Sequence, residues 1–389
     1  MKAFNILGFL GLFLVNALAV PTSDFVNWKN FKANGVNLGG WLVQEAVIDA
    51  GFWGQYGGNT TDEWGLRLGS QCGPVLERRY ATYFKPADID KLAKAGVTIL
   101  RIPTNYAAWV KVPGSQLYTG NQVQFLKNIA TYAITKYNMH VIVDVHSLPG
   151  GLNALGIGVR TATTGGSTTK PPWNIPTAPS MPLLSMFKPP GFLSHTPLHP
   201  STNRRITATS PSFGTPDALS IDGAAWVAKF INGVLSRVAQ VNPKIPVMLQ
   251  GSFRPEPFWS PYFPTDANLV FDAHHYYFAG RLTTSENVPT FICEDAKGSI
   301  SDGKFPVFIG EWSIQAVDNN TFASRAKTLN NGLYAWSKYT QGSSYWTVKF
   351  SENAPVNGQG TQSDYWNYET FIDLGIIDPA SSTGFCPQS

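Results

Sequence analysis

The chain has 389 residues, enough to bury one large core or two average domains. Its formal net charge is +4, from 29 Lys and Arg against 25 Asp and Glu, and no block of five basic residues occurs, so a nucleic-acid-binding tract is excluded. Aromatic residues reach 13 %, with 12 Trp, 15 Tyr and 24 Phe; that load suits ring stacking in a cleft, but alone it marks only a globular protein rich in rings.

In chain order, MKAFNILGFLGLFLVNALAV comes first, with a basic Lys2, an apolar run from Ile6 to Val15 and an Ala17-Leu18-Ala19 cleavage signature. This reads as a secretory signal peptide over residues 1–19, and the run is too short to span a bilayer. A secreted protein, extracellular or in the cell wall, is therefore expected, with no membrane attachment after cleavage. Residues 20–389 are expected to form a single domain. Asn59-Thr60-Thr61 and Asn319-Asn320-Thr321 are acceptor patterns for N-glycosylation.

Short β-rich runs then alternate with helix-length amphipathic segments. Strands are expected at Gly35–Leu38, Val97–Ile102, His140–Val145, Val247–Gly251, Leu269–His274, Pro306–Gly310 and Ser343–Trp346, and helical periodicity marks Pro86–Ala95, Asn121–Tyr137 and Ala224–Val241. Such alternation at this length points to an α/β chain folded as a (β/α)8 TIM barrel. Only seven strands are legible. The gap after the third is filled by Val159 to Pro216, which holds 11 of the 28 prolines and neither Asp nor Glu. No helical or strand period can be traced there, so the fourth strand and its following helix are expected to be replaced by an irregular Pro/Ser/Thr-rich segment.

Cys72, Cys293 and Cys386 are an odd set, allowing one bridge and one leftover thiol. Cys293 with Cys386 is the preferred pair, since it would tie the tail to the body. Their spacing matches no zinc pattern, and neither metal nor cofactor is expected.

Barrel enzymes carry their reacting groups at the C-terminal ends of the strands. VFIGEWS puts Glu311 at the tip of an apolar strand. ILRIPTNY buries a permanent cation, Arg101, which needs an anion; paired with Glu311 it would keep that carboxylate ionised and aimed. Asp144 and His146 end a third strand, and His274 and Tyr276 another. His146, His274 and Glu311 also read as a metal-ligand set, but the neighbouring Trp and Tyr residues argue for a hydrogen-bonding sugar site instead. Tyr345-Trp346 at the last strand offers a ring on which a pyranose could stack.

GVNLGGWLVQE, ILRIPTNYAAW, IVDVHSLPGGLN, FDAHHYYFAG, VFIGEWSIQ and YWTVKFSENAP together resemble the fungal secreted exo-β-1,3-glucanases of glycoside hydrolase family 5. The resemblance covers residues 30–158 and 212–375. It implies a retaining (β/α)8 glycosidase that releases glucose from cell-wall β-1,3-glucan, with β-glucan as its partner; a monomer is expected. It implies Glu311 as the nucleophile with Arg101 and Tyr276 beside it, Glu45, His146 and His274 as sugar-contacting or supporting groups, and Trp346 as the stacking ring. A β-1,6-glucan preference, or a glucan-binding protein without activity, would use most of the same residues.

One part is missing. A retaining glycosidase needs a second carboxyl group about 5–5.5 Å from the first, to protonate the departing oxygen. The family carries it as the Glu of Asn-Glu-Pro ending the fourth strand, and this chain has no Asn-Glu-Pro. Glu256, in Arg254-Pro255-Glu256-Pro257, follows the fifth strand and reads as a surface loop acid. Pro200-Ser201-Thr202-Asn203-Arg204-Arg205 is compatible with the synonymous codons CCA TCA ACG AAC CGA CGG, and that choice would spell Ile-Asn-Glu-Pro-Thr when read from the A of CCA. Residues 159–212 are accordingly read as out-of-phase translation of a segment that should carry the acid.

Overall fold

The computed structural model describes residues 25–66, 71–147, 206–209, 221–380 and 384–386. The expected signal peptide, most of 159–212 and the helix that would join the third strand to the fourth lie outside the described residues.

Eight parallel strands pair in chain order and close into a barrel. They are β1 (Ala33–Asn37), β2 (Ile99–Thr104), β3 (His140–Val145), β4 (Ile206–Thr209), β5 (Val247–Gln250), β6 (Leu269–His275), β7 (Val307–Trp312) and β8 (Gly342–Tyr345). The expected barrel is therefore present, but the expected gap is not. Ile206–Thr209, inside the stretch read as irregular, pairs with β3 from Val141↔Ile206 to Asp144↔Thr209, and with β5 at Ala208↔Val247 and Thr209↔Met248. The helix that follows β4 is the one expected at Ala224–Val241, and it runs from Ile221 to Val241. Composition misled because it says nothing of closure. Seven strands would leave two unpaired edges, and a short β-branched run such as Ile-Thr-Ala-Thr is enough to satisfy both.

Helix boundaries follow local chemistry. Pro86 opens Pro86–Lys94, with the Asp88 carboxylate accepting from the Lys85 N–H at 2.7 Å. Gln122–Tyr137 stops at Asn138, whose φ of +56° is left-handed. The inward faces of both helices are apolar and buried, from Ile89 and Leu92 to Leu126, Ala133 and Ile134. The disulfide joins Cys293 to Cys386, the pair preferred from sequence, with Cα atoms 5.6 Å apart; Cys72 is free.

The barrel interior is layered by the two-residue period of its strands. Trp28, Ala33, Ile99, Ile142, Met248, Val270 and Phe308 form an apolar plug at the N-terminal end. Two residues further along β2, β3 and β6 the same face carries Arg101, Asp144 and Asp272, all buried. The plug lies below these charges, which form the next layer towards the strands' C-terminal ends.

Candidate active site

Glu311 stands in that upper layer, 7 % exposed, at the end of β7. Its Oε1 accepts from Arg101 Nη1 at 2.7 Å, and its Oε2 accepts from the Tyr276 hydroxyl at 2.8 Å. His274 Nδ1 lies 3.3 Å from the same Oε2. A register shift between Ala273 and His274 sets His274 opposite Glu311. Gly310 has to be glycine here: a Cβ would run into the Asp272 carboxylate.

Arg101 is the hub. Its Nη2 reaches Asp144 at 3.0 Å and Asp272 at 3.8 Å, so one buried cation faces three carboxylates. Asp144 also accepts from His146 Nδ1 at 2.7 Å, and the His146 ring stacks on Trp346 with centroids 5.7 Å apart. His274 Nε2 lies 3.3 Å from Asp272 Oδ1, so its ring bridges two acids.

Burial alone would raise the carboxyl pKa of Glu311, but the charges of His274, Arg101 and His146 and the Tyr276 hydroxyl hold it below the ordinary value. Glu311 is ionised at neutral pH. Glu45 is the opposite case: burial, only partly offset by His146, pushes it up to about 7. Burial would lower His146, yet Asp144 and then Glu311 and Glu45 outweigh it and raise the ring to about 9. Arg101 stays charged, since Asp144, Glu311 and Asp272 together overcome its desolvation. The layer therefore holds an anionic carboxylate of lowered basicity, fixed from two sides, beside a carboxyl group that keeps its proton up to about neutral pH.

Each site residue expected from sequence is placed in this assembly. Arg101, Tyr276 and His274 touch Glu311, while His146 and Trp346 form one wall. Glu45, 4 % exposed, interacts electrostatically with His146, Glu311 and Arg101. Among the described residues no group of three or more His, Cys, Asp or Glu is arranged to hold a metal ion. Glu256 departs from expectation: it is 4 % exposed rather than a surface acid, because its Oε2 accepts from the Asp302 N–H at 3.1 Å. It lines a cavity of about 430 Å³ together with Phe253, His274, His275 and Asp295.

Other contributors were missed. Glu63 accepts from the Gln44 N–H and from Asn105 Nδ2, both at 3.0 Å, and so holds the backbone next to Glu45. Tyr276 stacks on Trp366, 5.5 Å between centroids, and Trp366 in turn stacks on Phe350 and meets Phe278 edge-on. Asn37, at the end of β1, contacts Arg101 directly at 2.9 Å. The signal legible in sequence for Asn37 is a polar residue within the expected strand Gly35–Leu38; the rings of Trp366, Phe350 and Phe278 lie outside any strand and carry none.

An ionised carboxylate at the tip of β7, clamped by a guanidinium and a phenol and flanked by aromatic rings in a barrel mouth, is the equipment of an α/β-barrel glycoside hydrolase. No family model matches the chain. It is similar to the solved structure of AoRut, with 55 % identity and a TM-score of 0.85 over 92 % of this chain and 99 % of that one. It is also similar to the rutinosidase from Aspergillus niger, with 50 % identity and a TM-score of 0.84 over 91 % and 100 % of the two chains. "Probable glucan 1,3-beta-glucosidase A" of Aspergillus niger is 27 % identical over 322 residues, 79 % of this chain and 73 % of the relative. The chain belongs to glycoside hydrolase family 5.

Proposed function

We propose that Glu311 is the nucleophile of a retaining β-glycosidase and forms a covalent glycosyl ester with the glucose it binds. The observation that carries this is the double clamp on Glu311, by Arg101 at 2.7 Å and Tyr276 at 2.8 Å, which aims an ionised carboxylate into the barrel mouth. A carboxylate oxygen attacks the anomeric carbon, the bond from that carbon to the leaving oxygen breaks, and the leaving oxygen takes the electron pair. Glu45 and His146 serve the sugar's hydroxyl groups, and Trp346 packs against the ring face.

The leaving oxygen normally receives a proton from a second carboxylic acid. Nothing between Val159 and Pro216 can supply one. Pro200–Arg205, the stretch expected to encode that acid in another phase, lies outside the described residues and precedes β4 in the chain instead of ending it. As written, the chain transfers sugar only from leaving groups stable as anions; general acid help is worth about 10²–10⁴-fold on the others.

The substrate reading shifts from the one the motifs imply. Identity of 50 % to a rutinosidase against 27 % to a glucan glucosidase favours a rutinoside, a β-glucoside whose glucose carries a second sugar, over β-1,3-glucan. We take the protein to be secreted after loss of residues 1–19 and to work as a monomeric single domain. No helix of the described residues is long and apolar enough to cross a membrane, and Asn59 and Asn319 are exposed. The acid-free segment favours one second reading, a carbohydrate-binding protein without turnover.

Trapping with 2,4-dinitrophenyl 2-deoxy-2-fluoro-β-glucoside, followed by peptide mass spectrometry, tests the proposal. The label belongs on the peptide containing Glu311. No label, with the sugar still bound, establishes the second reading. Protection by rutinose and not by laminaribiose supports the rutinoside assignment, and the reverse restores β-1,3-glucan.

A further inference from the structure

Asn37 ends β1 fully buried, and the reaction described above gives it no part. Its Nδ2 donates to three carbonyls, those of Gly310 at 2.8 Å and of Ser344 and Tyr345 at 3.1 Å each. Its Oδ1 accepts from Arg101 Nη1 at 2.9 Å. The amide faces carbonyls on one side and a guanidinium on the other, which fixes its orientation. Its backbone carbonyl accepts from Thr347 Oγ1 at 2.7 Å and from the Val348 N–H at 3.0 Å. One residue thus ties together the tips of β1, β2, β7 and β8.

Two of these contacts bear on the chemistry. Nη1 of Arg101, which Asn37 holds, is the nitrogen that donates to Glu311 Oε1. Gly310, whose carbonyl Asn37 also holds, is the residue before Glu311. We propose that Asn37 is a positioning residue for the glycosyl-transfer step: it locks the Arg101 guanidinium and the β7 tip into one frame and so sets the line along which Glu311 attacks the anomeric carbon. An amide suits the place because it supplies an acceptor to Nη1 without a second negative charge to compete with Glu311. Asp would add that charge and lose the donors to β7 and β8; Ala would release both.

The inference rests on Glu311 being the nucleophile, and the test keeps the two apart. The fluoro-sugar trap needs no proton donor, because dinitrophenolate leaves as the anion. Its inactivation rate constant and inhibition constant are measured from pH 4 to 8 for the wild-type chain, Asn37→Ala and Asn37→Asp, with thermal unfolding of each. Over that range Glu311 is faced by Arg101 from β2, His146 and Asp144 from β3, His274, Asp272 and Tyr276 from β6 and its end, and Glu45 from beyond β1. None of these is altered in either variant.

Asn37→Ala is expected to slow inactivation about tenfold or more, with the inhibition constant within about twofold, because aim is lost and sugar contacts are kept. Asn37→Asp is expected to move the acid limb of the rate profile up by about one pH unit, since the new anion shares Nη1 with Glu311. A wild-type chain that is not labelled overturns the nucleophile assignment, and this inference with it. A labelled wild type with folded variants that match its rate and acid limb, or that differ only in the inhibition constant, overturns the positioning role alone. If neither variant folds, Asn37 serves the fold and the proposal fails.

Discussion

Replacing Arg101 by Met would leave three buried carboxylates without their shared cation. Asp144, Glu311 and Asp272 lie 3.0, 2.7 and 3.8 Å from the guanidinium, and Arg101 is 2 % exposed. Breaking a buried ion pair from one side costs about 3–5 kcal/mol. At about 2.1 cal/mol/K of unfolding entropy per residue, a chain of this length would lose roughly 4–6 °C in Tm. The sign with pH is distinctive. In the wild-type protein the Glu311 carboxyl is held low, so its share of stability is present above its unfolded value and fades only as pH falls through the folded one. Without Arg101 one of the charges that hold Glu311 low is gone while the burial that raises it remains, so the variant regains stability as pH falls from 7.5 towards 5. Thermal unfolding of both proteins across that range is the assay, and the Tm gap should shrink steadily on acidification. A gap that is pH-independent, or a loss under about 1 kcal/mol, would refute the hub assigned to Arg101.

Three further outcomes are expected. Trp346→Ala, which removes the ring stacked on His146, should weaken binding of the fluoro-sugar by about tenfold while leaving Glu311 labelled at saturation; unchanged affinity would remove Trp346 from the sugar's wall. Glu45→Gln should be more stable than wild type at pH 7.5 by up to roughly 3 kcal/mol, because a folded-state pKa of about 7 makes the wild type lose stability as pH rises from 4.5 to 7; melting curves showing no such gain would contradict its burial as a charge. Reducing Cys293–Cys386, which are 93 residues apart, should cost about 4–5 kcal/mol and raise the thiol count from one to three; a Tm insensitive to reduction would show the tail adds nothing.

Strands and their tips were readable because a barrel strand buried on both faces is an apolar run, and a charge ending such a run stands out. His140–Val145 has the same limits in sequence and structure, and Val307–Trp312 is displaced by one residue at its start and two at its end. Arg101 was assigned to Glu311 because a buried guanidinium must find an anion, and the pair is there. Closure was not readable: β4 is four residues in a proline-rich setting, and only the neighbours β3 and β5 define it as a strand. The burial of Glu256 is not legible in sequence because the Asp302 N–H that donates to it is 46 positions away. The rings of Trp366, Phe350 and Phe278 are not legible for a similar reason: a four-residue helix and two loops gather them around Trp366 and Tyr276 without any period.

Turnover of 2,4-dinitrophenyl β-glucoside by the chain as written, with and without azide, is the most direct measurement of the whole account. Sound attack by Glu311 and no opposing acid predict a burst of one dinitrophenolate per protein. Slow release follows, and azide accelerates it by taking the sugar from Glu311 as glycosyl azide. No burst, or steady turnover indifferent to azide and equally fast on an unactivated glucoside, would contradict it.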